Sequence, residues 1–243
     1  MAKPSRTNRD RRAVVEQLRR EQKQKERRRT VVVLSICVVV ALVIVGAAVI
    51  PLLRQNKLTK GPIGRLGVAA DAAGCRPVQK KPATGNQEHR PVGTQIHYPE
   101  SPPAFGPHWP TPAPFSRKFY TAGDRPELEY LVHNLEHGYT LLWYDATIAA
   151  DKDRLAVVKA IAGKLEGNRP TDKFIAVPWK SKDGKPFPQG THLALTHWSA
   201  GGDPTDVSKQ KGVWEYCAKP SGAVVKGFMA DFPYTDSPEP QGA

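Results

Sequence analysis

The sequence predicts one mixed α/β domain, of the α+β kind, exported behind a single transmembrane helix. Three observations lead there: a long uncharged stretch near the N-terminus, a lopsided distribution of Lys and Arg around it, and a series of short strand-like and helix-like segments after a proline-rich stretch. Residues 31–53, VVVLSICVVVALVIVGAAVIPLL, contain no charge. At about 1.5 Å per residue, a helix of that length crosses a hydrocarbon core of about 30 Å. A cleaved signal peptide has a shorter apolar region, of about 7–15 residues, and a shorter basic lead.

The formal net charge of +13 does not make this a nucleic-acid-binding protein. Residues 1–30 carry 12 Lys/Arg against Asp10, Glu16, Glu21 and Glu26, which leaves 24 bases and 19 acids for the rest. Nine Lys/Arg lie in residues 11–30, against four (Arg54, Lys57, Lys60, Arg65) in residues 54–70. The orientation rule therefore puts the N-terminus in the cytoplasm and the C-terminal part outside. The arm is helix-prone, but Val14, Val15 and Leu18 are too few apolar residues to fold it alone. Topology accounts for its charge, and the lipid bilayer is its partner. Nucleic acid is excluded, because no aromatic or base-reading side chains accompany the bases.

The expected layout is a basic arm (1–30), a transmembrane helix (31–53), a polar Gly/Ala-rich tether (54–74), an exported domain (75–235) and a disordered tail (236–243). Cys37 lies within the span. Cys75 and Cys217 bracket the domain and are expected to form a disulfide in an oxidising compartment. Lipidation of Cys75 is a poorer reading, since that residue lies about twenty positions past the apolar stretch.

Ten prolines between Pro77 and Pro114 exclude helix from residues 76–118 and predict an extended, loop-rich segment. PELEYLVHNLEH (126–137) opens on Pro126 and stops at Gly138, the signature of a helix. YTLLWYD (139–145) reads as a strand. DKDRLAVVKAIAGKL (151–165) puts Leu155, Val158, Ile161, Ala162 and Leu165 on one helical face. KFIAVPW (173–179) and THLALTHW (191–198) read as further strands, and residues 205–217 as a last helix.

Chemistry centres on the histidines. His133-Asn-Leu-Glu136-His137 sets two imidazoles four residues apart on one face of a helix, with a carboxylate beside them. The same order occurs in inverted zinc proteases, but here Gly138 ends the helix at once and the only downstream carboxylate candidate is Glu215. His97 and His108 lie among prolines that stiffen the backbone, a setting that suits a binding site. His192 and His197 are five apart and face opposite sides of a strand. His89 reads as a solvent-exposed loop residue. The expected metal site is thus His133 and His137, completed by His108, with His97 as a further candidate. An all-imidazole set without thiolate suits Zn or Cu as the divalent ion, rather than Cu(I). Glu136 would support the ligands or act as a catalytic base. There is no phosphate-cradling glycine loop, C-x-x-C pair or Gly-x-Ser-x-Gly elbow.

SPPAFGPHWP, FYTAGDRPELEYLVHNLEHGYTLLWYD, KFIAVPW, LALTHW and EYCAKPSG together resemble a group of actinobacterial membrane-anchored proteins known as domain of unknown function 3105. The likeness covers about residues 74–240. This chain departs from it at Ala104-Phe105, where commoner members have Thr-Ser. The resemblance implies an exported, singly anchored domain and no particular activity. Three functions stay open on the residues: a metal- or ligand-binding domain at the outer face of the membrane, a metal-dependent hydrolase with Glu136 as base, and a structural cell-envelope module that binds a protein partner.

Overall fold

The computed structural model describes residues 6–83 and 87–242. The chain divides into two compact units, Met1–Arg54 and the residues from Gln55 onward. Helix α1 (Arg6–Thr59) takes in the basic arm from Arg6 onward and the whole uncharged stretch. Apolar side chains along it, among them Val31, Leu34, Ile50 and Leu53, are exposed in the protein alone. That helix is long and apolar enough to cross a membrane.

The C-terminal unit is built on a five-stranded sheet. In spatial order its strands are β1 (Gln79–Pro82), β5 (Lys211–Cys217), β4 (Leu193–Ser199), β2 (Thr140–Tyr144) and β3 (Phe174–Pro178). Neighbours are antiparallel except β2 and β3, which are parallel, with Leu141 opposite Ile175 and Trp143 opposite Val177. A parallel pair needs a crossover. Helices α3 (Ala146–Ala150) and α4 (Lys152–Gly163) supply it, each started by an aspartate, Asp145 or Asp151, whose side chain accepts from the first turn.

Both faces of the sheet are covered, so β2 and β4 are buried along their whole length rather than on alternate residues. One face buries Leu141, Trp143, Ile175, Val177, Trp198 and Trp214 under helix α2 (Leu128–Glu136) and the proline-rich segment. The other buries Leu142, Phe174, Leu195 and Val213 under α4 and helix α5 (Gly222–Asp231). Trp143, Trp198 and Trp214 are fully buried. At about 25 cal/mol per Å² over about 150–250 Å², each contributes roughly 4–6 kcal/mol before entropy is counted. Cys75 and Cys217 are bonded, and they tie the segment before β1 to the end of β5.

The structure corrects three expectations. Residues 205–217 are not a helix. After a 3-10 turn at Val207–Lys209 they run as β5, a central strand whose two-faced burial mimics a buried helix in sequence. The last helix is α5, opened by the Ser221 hydroxyl accepting from Val224 N at 3.4 Å. The segment 54–74 is not a free tether. α1 continues to Thr59, Leu66 is fully buried, and its carbonyl accepts from Gly222 N at 2.9 Å.

The third correction concerns 236–243, expected as a disordered tail. Residues 236–242 instead form a strap. Ser199 Oγ and Gly202 N donate to the Asp236 carboxylate at 2.6 and 2.9 Å. Lys173 Nζ donates to the carbonyls of His137, Pro240 and Gly242 at 2.8, 3.0 and 2.7 Å. Backbone polar groups satisfied in this way need no apolar content in the strap itself.

Candidate metal centre

Two segments and one helix build the centre. Between β1 and α2 the described chain forms only isolated bridges, and one of them pairs His89 with His108. In that pair Arg90 N donates to His108 O at 2.7 Å and His108 N donates to Glu88 O at 3.0 Å. Helix α2 runs across the sheet below them with Leu131, Val132 and Leu135 in the core. The helix ends because Gly138 takes φ +86°, a conformation that other residues avoid. His133, Glu136 and His137 therefore sit on its last turn.

The ligand atoms of His89, His108, His133 and Glu136 lie within 4.8 Å of one another. Ring centroids are 4.7 Å apart for His89 and His108 and 4.9 Å apart for His108 and His133. The side chains of His108 and Glu136 are 0% and 1% exposed, whereas His89 is 44% exposed and opens the cluster to solvent.

Hydrogen bonds fix the direction of each ring. His108 Nδ1 lies 2.8 Å from Gly106 O and His133 Nδ1 lies 2.5 Å from Trp109 O. A carbonyl only accepts, so both rings donate at Nδ1, and Nε2 is the atom turned into the cluster. His108 Nε2 stands 2.9 Å from a Glu136 carboxylate oxygen. A neutral ring in that tautomer would set two acceptors face to face, so the pair requires a proton or a cation between them. An outer N–H on a backbone carbonyl is also the usual support for a metal-bound histidine.

A relay orients the carboxylate. Trp198 Nε1 donates to Gln210 Oε1 at 3.0 Å, Gln210 Nε2 to Gln87 Oε1 at 2.6 Å, and Gln87 Nε2 to Glu136 Oε1 at 3.2 Å. Indole is donor-only, which fixes both amides and presents an N–H to Glu136. Burial alone would raise the Glu136 pKa. The bonds from His108 and Gln87, with the nearby His133, outweigh it and hold the carboxyl below its usual value. His133 is pushed down to about 4, chiefly by burial; the bond to Trp109 O opposes this, and the neighbouring histidines reinforce it. Its ring is therefore neutral at physiological pH.

Sequence reasoning placed His108, His133 and Glu136 together and passed over His89. No spacing rule links His89 to the others, because the bridge that brings it in joins two loop segments. His137 adjoins the cluster, with its Nε2 3.1 Å from His133 Nε2. His97 does not belong to the converging set. It lines a separate cleft of about 430 Å³ with Tyr98, Glu127, Glu129 and Lys182. The reason is local: Ile96 N donates to Glu129 Oε1 at 3.2 Å, and Glu129 precedes Glu136 by two helical turns, about 10 Å along the axis. Glu215 groups with the Cys75–Cys217 bridge instead of the histidines. His192 bonds Asp145 at 2.8 Å, and the buried His197 bonds Asp236 O at 2.8 Å, so neither contributes.

Residues 89–240 match a protein family described as "Protein of unknown function (DUF3105)". No curated protein and no solved structure matches the chain.

Proposed function

This chain belongs to the DUF3105 family, whose description names no activity, and from the geometry we propose that it is a membrane-anchored domain that binds a transition-metal ion through His89, His108, His133 and Glu136. The observation that carries this reading is the gathering of ligand atoms from His89, His108, His133 and Glu136 within 4.8 Å of one another, with the His108 Nδ1–Gly106 bond turning Nε2 onto the buried carboxylate. Three imidazoles and a carboxylate without thiolate suit Zn(II) or Cu(II). At metal–ligand distances of about 2.0–2.1 Å, ligands of a tetrahedral ion stand about 3.3 Å apart. The observed 2.9 and 3.8 Å separations of His108 and His89 from Glu136 straddle that value.

The bilayer is the partner of α1. The unequal Lys/Arg counts on the two sides of the uncharged stretch support a cytoplasmic N-terminus and an extracytoplasmic C-terminal unit, as does the disulfide. Glu136 suits a ligand better than a hydrolytic base. Its donors hold it ionised and weakly basic, whereas a general base works best with a pKa near the operating pH.

The test is calorimetric titration of the full chain in detergent micelles, stripped by chelator, with Zn(II) and Cu(II). Binding tighter than about 10 μM, roughly −7 kcal/mol, is expected, lost in His108→Ala and weakened in the solvent-facing His89→Ala. Weaker binding, or binding that neither substitution changes, refutes the site and leaves a structural envelope module.

A further inference from the structure

The last residues of the chain complete a second set of donors against the first. Glu136, His137 and Glu239 also bring their ligand atoms within 4.8 Å of one another, and they share Glu136 with the cluster above. We propose that the centre holds two divalent metal ions, the second bound by His137 and Glu239 and joined to the first through the Glu136 carboxylate. This rests on the metal-binding reading of the first set and extends it.

The strap is built to deliver Glu239. Its backbone N–H donates to Glu136 O at 2.9 Å, so the two acidic residues are fastened to each other through the main chain. Three residues on, Gly242 lies flat against the His137 ring. A β-carbon there would run into the ring atoms, so this contact needs glycine. Lys173, buried beneath, gives its ammonium to the carbonyls of His137, Pro240 and Gly242, which clamps the strap to the end of α2. The result sets a Glu239 carboxylate oxygen 3.4 Å from His137 Nε2, with the Glu239 side chain 51% exposed and open to ions from solvent.

Electrostatics point the same way. Two carboxylates share this corner, and the ion-pair partners of both among the described residues are histidines: His89 and His108 for Glu136, and His137 for Glu239. The ammonium of Lys173, which clamps the strap from beneath, is engaged by carbonyls. Like charges in one site disfavour each other unless a cation lies between them. The 3.1 Å approach of His133 Nε2 to His137 Nε2 joins the two donor sets edge to edge. A bridging carboxylate between ions about 3.5–4 Å apart is the ordinary arrangement of paired metal sites.

The experiment counts ions. Full chain in detergent micelles, stripped by chelator and dialysed against about 10 μM free Zn(II) (the affinity limit set above), is assayed for zinc per chain by mass spectrometry. Two ions are expected for the native sequence and one for Glu239→Gln, which removes the charge but keeps the backbone bond to Glu136 and lies on an exposed side chain. One ion in the native chain, unchanged by Glu239→Gln, overturns this inference and leaves the single-ion reading standing. Two ions in both chains put the second one elsewhere and overturn the assignment. No zinc in the native chain overturns both readings.

Discussion

Opening the Cys75–Cys217 bridge should cost the C-terminal unit about 5 kcal/mol. The bonded cysteines are 142 residues apart in sequence. Closing a loop of that length removes about 17 cal/mol/K of chain entropy from the unfolded state, or roughly 5 kcal/mol at 25 °C. Native contacts change little when the bridge is cut, because other bonds hold its ends. Arg76 N donates to Tyr216 O at 2.8 Å and Ala218 N to Ala73 O at 3.0 Å, and β1 pairs with β5. The loss therefore falls on the unfolded side of the equilibrium. Urea unfolding of the full chain in mild detergent, followed by tryptophan fluorescence, reads it directly. All five tryptophans lie between Trp109 and Trp214, so α1 is silent. With a slope of about 2–3 kcal/mol per molar, Cys75→Ala/Cys217→Ala should lower the midpoint by about 2 M. A loss under about 1 kcal/mol would refute the reasoning and mean that the unfolded chain already keeps the two ends together.

Two further outcomes follow from titrating groups. Imidazole ligands bind only when unprotonated, so Zn(II) affinity should fall at least about tenfold between pH 7.5 and about 4. His133, held near 4, takes up its proton at the bottom of that range, and a flat profile by calorimetry would contradict the histidine set. Lys118 is buried, its Nζ donates to Asp172 O at 2.9 Å, and its pKa is lowered to about 8, chiefly by burial and against the pull of Asp172. Between about pH 8 and 10.5 the unfolded chain holds this proton and the folded one does not, so stability should rise with pH across that window. By the size of the shift the whole rise is about 3 kcal/mol. Lys118→Met should abolish the rise and stabilise the fold at pH 7; equal slopes in urea unfolding from pH 8 to 9.5 would show the ammonium is well solvated.

Much of the sheet could be read in advance because its signals are local. Thr140–Tyr144 and Phe174–Pro178 are short runs of branched and aromatic residues between turn signals, and Pro126 and Gly138 bracket α2 by backbone chemistry alone. β5 could not be read that way. In KGVWEYC, Val213 packs on one face and Trp214 and Tyr216 on the other, a pattern that in sequence also fits a buried helix. The strap is polar and proline-rich, and its order comes from partners such as Lys173 and Ser199, distant in sequence. His89 and His97 divide for the same reason. Both are loop histidines, and only the pairing of Arg90 with His108 and of Ile96 with Glu129 decides which one reaches the centre.

The burial of Glu136 is the feature that packing does not explain. α2 already supplies Leu131, Val132 and Leu135 to the core, so the fold needs no acid on its last turn. A carboxylate taken out of water costs on the order of several kcal/mol, and an apolar residue of similar volume at such a position is often neutral or stabilising. Here the chain surrounds the charge instead, with His108 and the relay from Trp198 through Gln210 and Gln87, which ties the orientation of the carboxylate to a fully buried tryptophan of β4. Such a relay does not lower the cost of burial below that of an apolar side chain. What it does is hold a carboxylate oxygen at a fixed position beside three imidazoles, a property that the proposed metal centre requires and a packed core does not.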